Sequence, residues 1–430
     1  MLIETMPGPS PNWLRRLAIL LPAVIAFVLI GWWVLKTYLA TRAGDRITFY
    51  YMTLAAALDP TEETYQLGLG RFYQYNPANM NPDQAMVHIK RAVELSPYDP
   101  QAWLDLGAAL EFQGNTDQAE VCLRRADVLA PNLPPIQWTI ANFFLLHGNI
   151  DEAFKHFKVV LKGSNQYDRA VFDTAWKASG DANKILNELV PAYAQTEFAY
   201  LDYVVSHRNF EAAAGVWKRL VDSPETFPPG MVKMYLDGLI NDHRAPEASR
   251  VWNDLLTKGL VPSTDAPSKR NLIVNGDFEE PPLNVGFDWR LIPLEGSYAG
   301  LDQTTFHSPS HSLLIQFMGT DNLNFQNAME FVSVEPNHRY RLQAFMRTEG
   351  ITTDSGPRLQ LRDVYDTRVL DLFSEELTGD NAWTELKLDF KTPAKTDVVA
   401  VVITRLPSQK LDNKIAGKVW VDDVTLTALP

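Results

Sequence analysis

Six side chains on two short runs could do chemistry in this 430-residue sequence. In YRLQAFMRT, Arg341, Gln343 and Arg347 alternate with Leu342, Ala344 and Met346. In RLQLRDV, Arg358, Gln360 and Arg362 alternate with Leu359 and Leu361. A period of two puts every second side chain on one side of a strand. If the two strands pair, they present a single face of Arg and Gln. Guanidinium forks hold carboxylates and phosphates with two parallel hydrogen bonds, so such a face suits an anionic or strongly polar glycan. The same pattern also describes a solvated outer face whose arginines pair with Asp and Glu on neighbouring strands. Both readings stand at this point. Trp289, Tyr298 and Tyr365 fall in loops or at strand ends and are candidate stacking platforms, whereas Trp383 and Trp420 sit in regular strand patterns and read as core.

No standard reactive constellation accompanies these residues. The phosphate-binding loop, the dinucleotide fingerprint, the GxSxG elbow and the HExxH zinc helix are all missing from the sequence. His88, His147 and His156 stand alone at helical positions, with no carboxylate at metal-ligand spacing. The single cysteine, Cys122, permits no intrachain disulfide and no cysteine-based metal site. It reads as small core filler. The formal net charge of -13 argues against a nucleic-acid partner, because phosphate binding needs a basic surface. With 46% hydrophobic and 21% charged residues, the composition is that of a folded chain.

The elements that must position these residues fall into three parts. Residues 17–35 read LAILLPAVIAFVLIGWWVL, nineteen residues without a charge. That is close to the ~20 needed to cross a membrane. Trp13 lies before the run, and Trp32, Trp33 and Tyr38 lie at its end, as interfacial aromatics do. A transmembrane helix over 17–39, after a short tail over 1–16, is the expectation. A cleaved signal segment is the alternative, with small residues near Ala40 and Ala43. Arg15 and Arg16 precede the span, and Lys36, Arg42 and Arg46 follow it, so the positive-inside count is nearly balanced. The short tail with paired arginines favours an inside N-terminus and an extracytoplasmic bulk.

Internal similarity organises the next segment. Ala85, Ala119 and Ala153 recur every 34 residues, as do Ala92 and Ala126, and Pro97 and Pro131. From Trp103 the spacing continues through Leu106, Gly107, Leu110, Gly114, Ala119, Leu123, Ala126 and Pro131. This pattern resembles a tetratricopeptide repeat. Small residues let two antiparallel helices approach, large ones fill between them, and Pro131 stops the second helix. One hairpin cannot bury its apolar face alone, so neighbours must stack. A helical repeat domain is expected over 45–260, with FEAAAGVW (210–217) and APEASRVW (245–252) as degenerate late repeats. The resemblance implies a protein partner on a concave surface.

The segment 261–270, VPSTDAPSKR, is rich in Pro and Ser and reads as a linker. Beyond it the period becomes two, in seven runs: HSLLIQFM, AMEFVSVEP, YRLQAFMRT, RLQLRDV, WTELKLDFKT, DVVAVVITRL and KVWVDDVTL. These predict a β-sandwich over 271–430. The opening NLIVNGDFE (271–279) and the closing VWVDDVTL (419–426) resemble galactose-binding-like jelly rolls, many of which are carbohydrate-binding modules. That resemblance implies a possible polysaccharide ligand and a structural calcium, with Glu279 and Asp422 or Asp423 at the matching positions. The alternative is that these acids cap turns or pair with lysines such as Lys418.

The expected fold class is therefore multidomain α + β: an N-terminal transmembrane helix, an α-solenoid and a C-terminal antiparallel β-sandwich of the jelly-roll kind. The expected function is that of a membrane-anchored, non-catalytic adaptor. Its repeats would hold a protein partner and its sandwich a glycan or surface partner, in the setting of bacterial exopolysaccharide or envelope assembly at the inner membrane. A purely structural subunit of a membrane complex is the first alternative. A polysaccharide-acting hydrolase is the second, since paired carboxylates for glycoside cleavage can lie far apart in a chain.

Overall fold

The computed structural model describes residues 12–261 and 271–430, with side chains from Leu20 onward. The tail before Asn12 and most of the expected linker lie outside the described residues. Two compact units divide the chain, one ending at Gly180 and the other beginning at Asp181.

The first unit opens with α1, Asn12–Gly44. Its stretch Leu20–Gly44 is long and apolar enough to cross a membrane by length and composition, and it is bare of protein contacts through most of its run. Phe27 is 79% exposed and Trp32 65% exposed, which no water-facing helix surface would favour. Hairpins follow: α2 (Phe49–Leu58), α3 (Glu63–Tyr75), α4 (Pro82–Leu95), α5 (Pro100–Phe112), α6 (Thr116–Leu129), α7 (Pro134–Leu146), α8 (Ile150–Gly163) and α9 (Asp168–Ser179). Proline begins α4, α5 and α7 where a missing N–H costs nothing. Gly114 and Gly148, both at positive φ, turn α5 into α6 and α7 into α8. The period-34 alanines Ala85, Ala119 and Ala153 are buried where helices meet. A Cβ on Gly107 would sit 3.0 Å from Leu123 and 3.3 Å from the Ala119 carbonyl, so glycine fits here without displacing its α6 neighbours. The isolated histidines are satisfied internally: His88 bonds Gln66, His147 bonds the Phe143 carbonyl, and His156 bonds Gln137 while stacking on Phe144.

The second unit contains α10 (Ala182–Lys184), α11 (Ala194–Ser206), α12 (Phe210–Asp222), α13 (Lys233–Asn241), α14 (Ala245–Thr257) and ten strands. One sheet, A, has the order β1-β4-β9-β6-β7, from β1 (Arg290–Leu291), β4 (Phe325–Ser333), β9 (Val398–Arg405), β6 (Arg358–Asp363) and β7 (Asp371–Phe373). The other, B, has the order β2-β3-β10-β5-β8, from β2 (Ser297–Asp302), β3 (Ser312–Met318), β10 (Ala416–Leu429), β5 (Arg339–Ile351) and β8 (Gly379–Lys391). All pairings are antiparallel. Leu342, Ala344 and Met346 from sheet B meet Leu359, Leu361, Val399 and Val401 from sheet A in the core.

Sheet A is covered on its outer side as well. Every residue of β9 is buried, including the outward Val398, Ala400 and Val402. Helices α13 and α14 meet this face. Arg290 of β1 donates to Asp237 of α13 at 2.6 Å and lies over the Phe331 ring. His243 stacks on Tyr365 at 3.9 Å. Trp252 and Leu236 close on Gly286, which has φ +58° and no room for a side chain: a Cβ would meet Trp252 at 2.7 Å. Replacing Gly286 with Ala therefore adds both backbone strain and a clash. We expect Gly286→Ala to destabilise the second unit by about 1–3 kcal/mol, read as a lower denaturation midpoint at unchanged slope.

Candidate functional site

The two Arg/Gln runs do not form one face. β5 pairs with β10 and β8, whereas β6 pairs with β9 and β7, so the strands belong to different sheets. Each must bury its alternate apolar residues between the sheets, which sends the polar sets to opposite outer faces. This corrects the expectation of a common surface.

On the sheet B face the β5 residues are already engaged. Arg341 donates to both oxygens of Asp389, at 2.7 and 2.8 Å, and this hydrogen bonding holds that carboxyl below its ordinary range. Gln343 donates to Glu385. Arg347 lies 5.6 Å from the centre of the Trp420 ring. Arg341 and Gln343 thus form cross-strand surface pairs.

The sheet A face is different. Arg358, Gln360 and Arg362 point outward beside Thr404, Val402 and Ala400 of β9. Gln360 is only 3% exposed, and its Nε2 donates to Asp371 at 2.7 Å. Its Oε1 is buried without a hydrogen-bond partner. Arg358 donates to Glu376 and Ser355 through Nη2, but its Nε is buried without a partner. Burial pulls the Arg358 pKa down. Arg362 donates to Gln326 at 2.8 Å. Phe373 stands opposite Gln360 in the register and is 36% exposed. A buried acceptor and a buried donor with nothing to bond are unusual, because each such group is destabilising by about 1–3 kcal/mol. The part of this face that solvent reaches is the Phe373 ring with the half-buried Arg358 and Arg362 beside it.

The expected platforms fare unequally. Trp289 is fully buried, packed 4.9 Å from Phe278 in the core, and stacks on no outside ligand. Tyr365 has one ring face taken by His243, and its hydroxyl is buried without a partner. Burial, with Asp397 and Asp363 nearby, pushes that phenol up. Trp420 is buried as expected, but Trp383 is only half-buried, edge-on to His307. Phe373 was missed because β7 is three residues long, too short for its alternation to show.

The three carboxylates of the implied calcium site do not converge on an ion. Glu279 accepts from the N–H of Ser310 and His311, from Ser310 Oγ and from His311 Nδ1. Asp422 accepts from the N–H groups of His307 and Ser308, and Asp423 from His307 Nδ1 and Ser308 Oγ. Calcium needs several oxygens aimed at one point. Here the oxygens face N–H and O–H donors of the 306–311 loop instead. Among the described residues, no group of three or more His, Cys, Asp or Glu could hold a metal ion. These residues do not fit calcium; they latch the loop. Partial burial resists ionisation of Glu279, but the hydrogen bonds outweigh it and hold the carboxyl at about 2. Burial instead pushes Asp422 up to about 6, against its three N–H donors.

The first unit holds a separate feature, a groove of about 820 Å³ between α2, α3 and the start of α5. Met52, Leu67 and Phe72 line it alongside Glu63, Asp99 and Arg71. Arg71 is engaged by Asp105 at 2.6 Å. Burial, then the charge of Asp99, pushes Glu63 up to about 7.

Comparison with known proteins finds partial matches. The tetratricopeptide repeat family matches residues 78–139. The chain is 28% identical over 192 residues to the tRNA(Glu)-specific nuclease WapA of Bacillus subtilis subsp. natto, and 27% identical to the tRNA nuclease WapA of Bacillus subtilis strain 168. Each match takes in 43% of this chain but only 8% of the relative's length. Among solved structures, Family 16 Carbohydrate Binding Module-2 is similar at 19% identity over 36% of this chain and 99% of that one, with a TM-score of 0.27. The MamA protein is similar at 17% identity over 45% of this chain and 97% of that one, with a TM-score of 0.29.

The latch gives a pH signature. A carboxyl held below its ordinary 4.5 stabilises the fold above that pH and loses the contribution as pH falls from 4.5 toward 2. Glu279→Gln should destabilise the sandwich at pH 7 by about 1–3 kcal/mol. It should also remove part of the acid-induced loss, seen by comparing melting curves of the two proteins at pH 7 and pH 3.

Proposed function

We propose that this protein is a membrane-anchored, non-catalytic adaptor that joins a protein partner to a glycan. The apolar helix over 17–39 anchors it, with the bulk of the chain outside the cytoplasm of a bacterial cell. The repeats hold the protein partner. Their acid-lined groove favours a segment that brings a cationic side chain, because Glu63 and Asp99 repel each other until a positive charge or a proton intervenes. The sandwich over 271–430 binds the glycan at the outer face of sheet A, where Arg358, Gln360 and Arg362 meet Phe373. Tethering both ligands to one chain raises the local concentration of each near the other. Exopolysaccharide or envelope assembly at the inner membrane is the setting such an arrangement suits.

The observation that carries the glycan reading is the part-exposed Phe373 ring, which stands opposite Gln360 in the register with the half-buried Arg358 and Arg362 on the same face. The test is a glycan array probed with the full chain in detergent, since the sandwich packs against α13 and α14. Gln360→Ala should weaken the best glycan about tenfold or more, the loss of roughly 1.4 kcal/mol. Arg341→Ala, which breaks only a surface pair, should leave it unchanged. Absence of binding to any glycan would favour a purely structural subunit, and equal binding by Gln360→Ala would move the glycan away from the outer face of sheet A.

A further inference from the structure

The outer face of sheet B carries a second arrangement that the sheet A site does not use. Its edge strand β2 places Tyr298 outward, 51% exposed. The Tyr298 side chain folds along its own strand over Gly300, so that a Cβ at 300 would lie 2.9 Å from the ring carbon Cζ. Glycine is thus what leaves room for the end of the ring over position 300, while the side chain as a whole stays half exposed. The register then runs from Gly300 to Leu314 to Trp420 to Arg347, and from Tyr298 to Gln316 to Lys418 to Glu349. Neighbouring strands are ~4.8 Å apart, so the Lys418 and Trp420 backbone lies about 10 Å from β2, two strands away. Gln316 of β3 lies in that gap, between the tyrosine and the lysine in the register.

The polar groups around the gap are fixed rather than loose. Trp420 is 4% exposed, and its indole N–H donates to Asp302 at 2.6 Å. Arg347 and Lys418 lie 5.6 and 6.0 Å from the centre of its ring. The tryptophan is therefore a buried pedestal on which both cations rest. Neither cation makes an ion pair among the described residues, although Asp302 and Glu349 keep the patch near neutral. Hydroxyls can thus meet donors from Lys418 and either sense from Gln316, with no net charge to balance. Tyr298 also borders a groove of about 490 Å³ at the sandwich edge, lined by Ile292, Pro293 and Leu294. That groove has room for a following sugar residue.

We propose that the outer face of β2, β3 and β10 is a second saccharide site. Tyr298 is its stacking platform, Gln316 and Lys418 are its hydrogen-bonding groups, and an uncharged oligosaccharide is its ligand. The inference rests on the sandwich being a glycan-binding module, but it concerns a different face from Gln360.

Calorimetric titration of the full chain in detergent with cellohexaose, xylohexaose, maltohexaose and hexagalacturonate tests it. The expected result is binding of at least one neutral hexasaccharide that Tyr298→Ala weakens about tenfold or more, Lys418→Ala weakens as well, and Gln360→Ala spares. Tyr298 is exposed, so its removal leaves the fold intact, and matching melting curves for the three variants confirm this. Tyr298→Ala binding as well as the parent overturns the second site. If Gln360→Ala alone abolishes binding, the second site fails while the sheet A site stands. Lack of binding to all four probes overturns the inference for the neutral sugars it names. Binding of hexagalacturonate alone overturns the assignment of an uncharged ligand.

Discussion

A helical hairpin in a stacked array has two apolar sides, and the last hairpin has no further repeat to cover its outer one. In the second unit the β-sandwich supplies that cover. Leu236 and Trp252 close on Gly286, Trp252 packs edge-on to Phe287, and Arg290 reaches from β1 to Asp237. The ion pair is substantially buried, with Arg290 6% exposed, so separating the two surfaces would strand a charge as well as expose apolar area. The same contact serves both partners. It ends the stack, and it buries the outer side of β9, which would otherwise be a strip of bare valine.

This joint also shapes the candidate site. Sheet A is covered by helices at the end bearing Phe331 and Tyr365, and it opens toward Arg358 and Phe373. Gln360 is 3% exposed, beside the buried Val402 of β9 and opposite the part-exposed Phe373 of β7. Sheet B is covered in part by the 306–311 loop, whose His307 stacks on Phe345 at 3.9 Å and lies edge-on to Trp383. Its other outer polar groups pair with one another or rest on Trp420, and Tyr298 at its β2 edge is half exposed. The two faces differ because only one of them is needed to cap helices.

Much of this was legible in the residues. The period of 34 located the hairpins, because close helix packing admits little but alanine and glycine at Ala85, Gly107 and Ala119. The seven alternating runs became seven of the ten strands, from β3 to β6 and β8 to β10. Of the three not read, β1 and β7 are edge strands too short for a period to show, and β2, an edge strand reading SYAGLD, has no alternation of apolar and polar residues. Strand pairing was not legible, so Arg341 and Arg358 were set on one face that does not exist. One signal was passed over. VVAVVI (398–403) is an unbroken apolar run, which marks a strand buried on both sides. It foretold that something covers the outer side of sheet A. Trp289 was misplaced for a related reason: a loop gives no periodicity, and only the packing against Phe278 reveals it as core. The carboxylates of the opening and closing phrases were read as calcium ligands, with turn capping or lysine pairing as the alternative; the backbone N–H groups of the 306–311 loop that Glu279 and Asp422 meet leave no trace in side-chain identity.

Hydrogen exchange on the full chain, followed residue by residue under native conditions, bears most directly on the joint between helices and sheet. If the sandwich caps the array, amides of α13 and α14 will share the slowest exchange class with those of β4 and β9, and all four will gain deuterium together as denaturant rises. Early, independent exchange of α13 and α14 while β4 and β9 stay protected would contradict it.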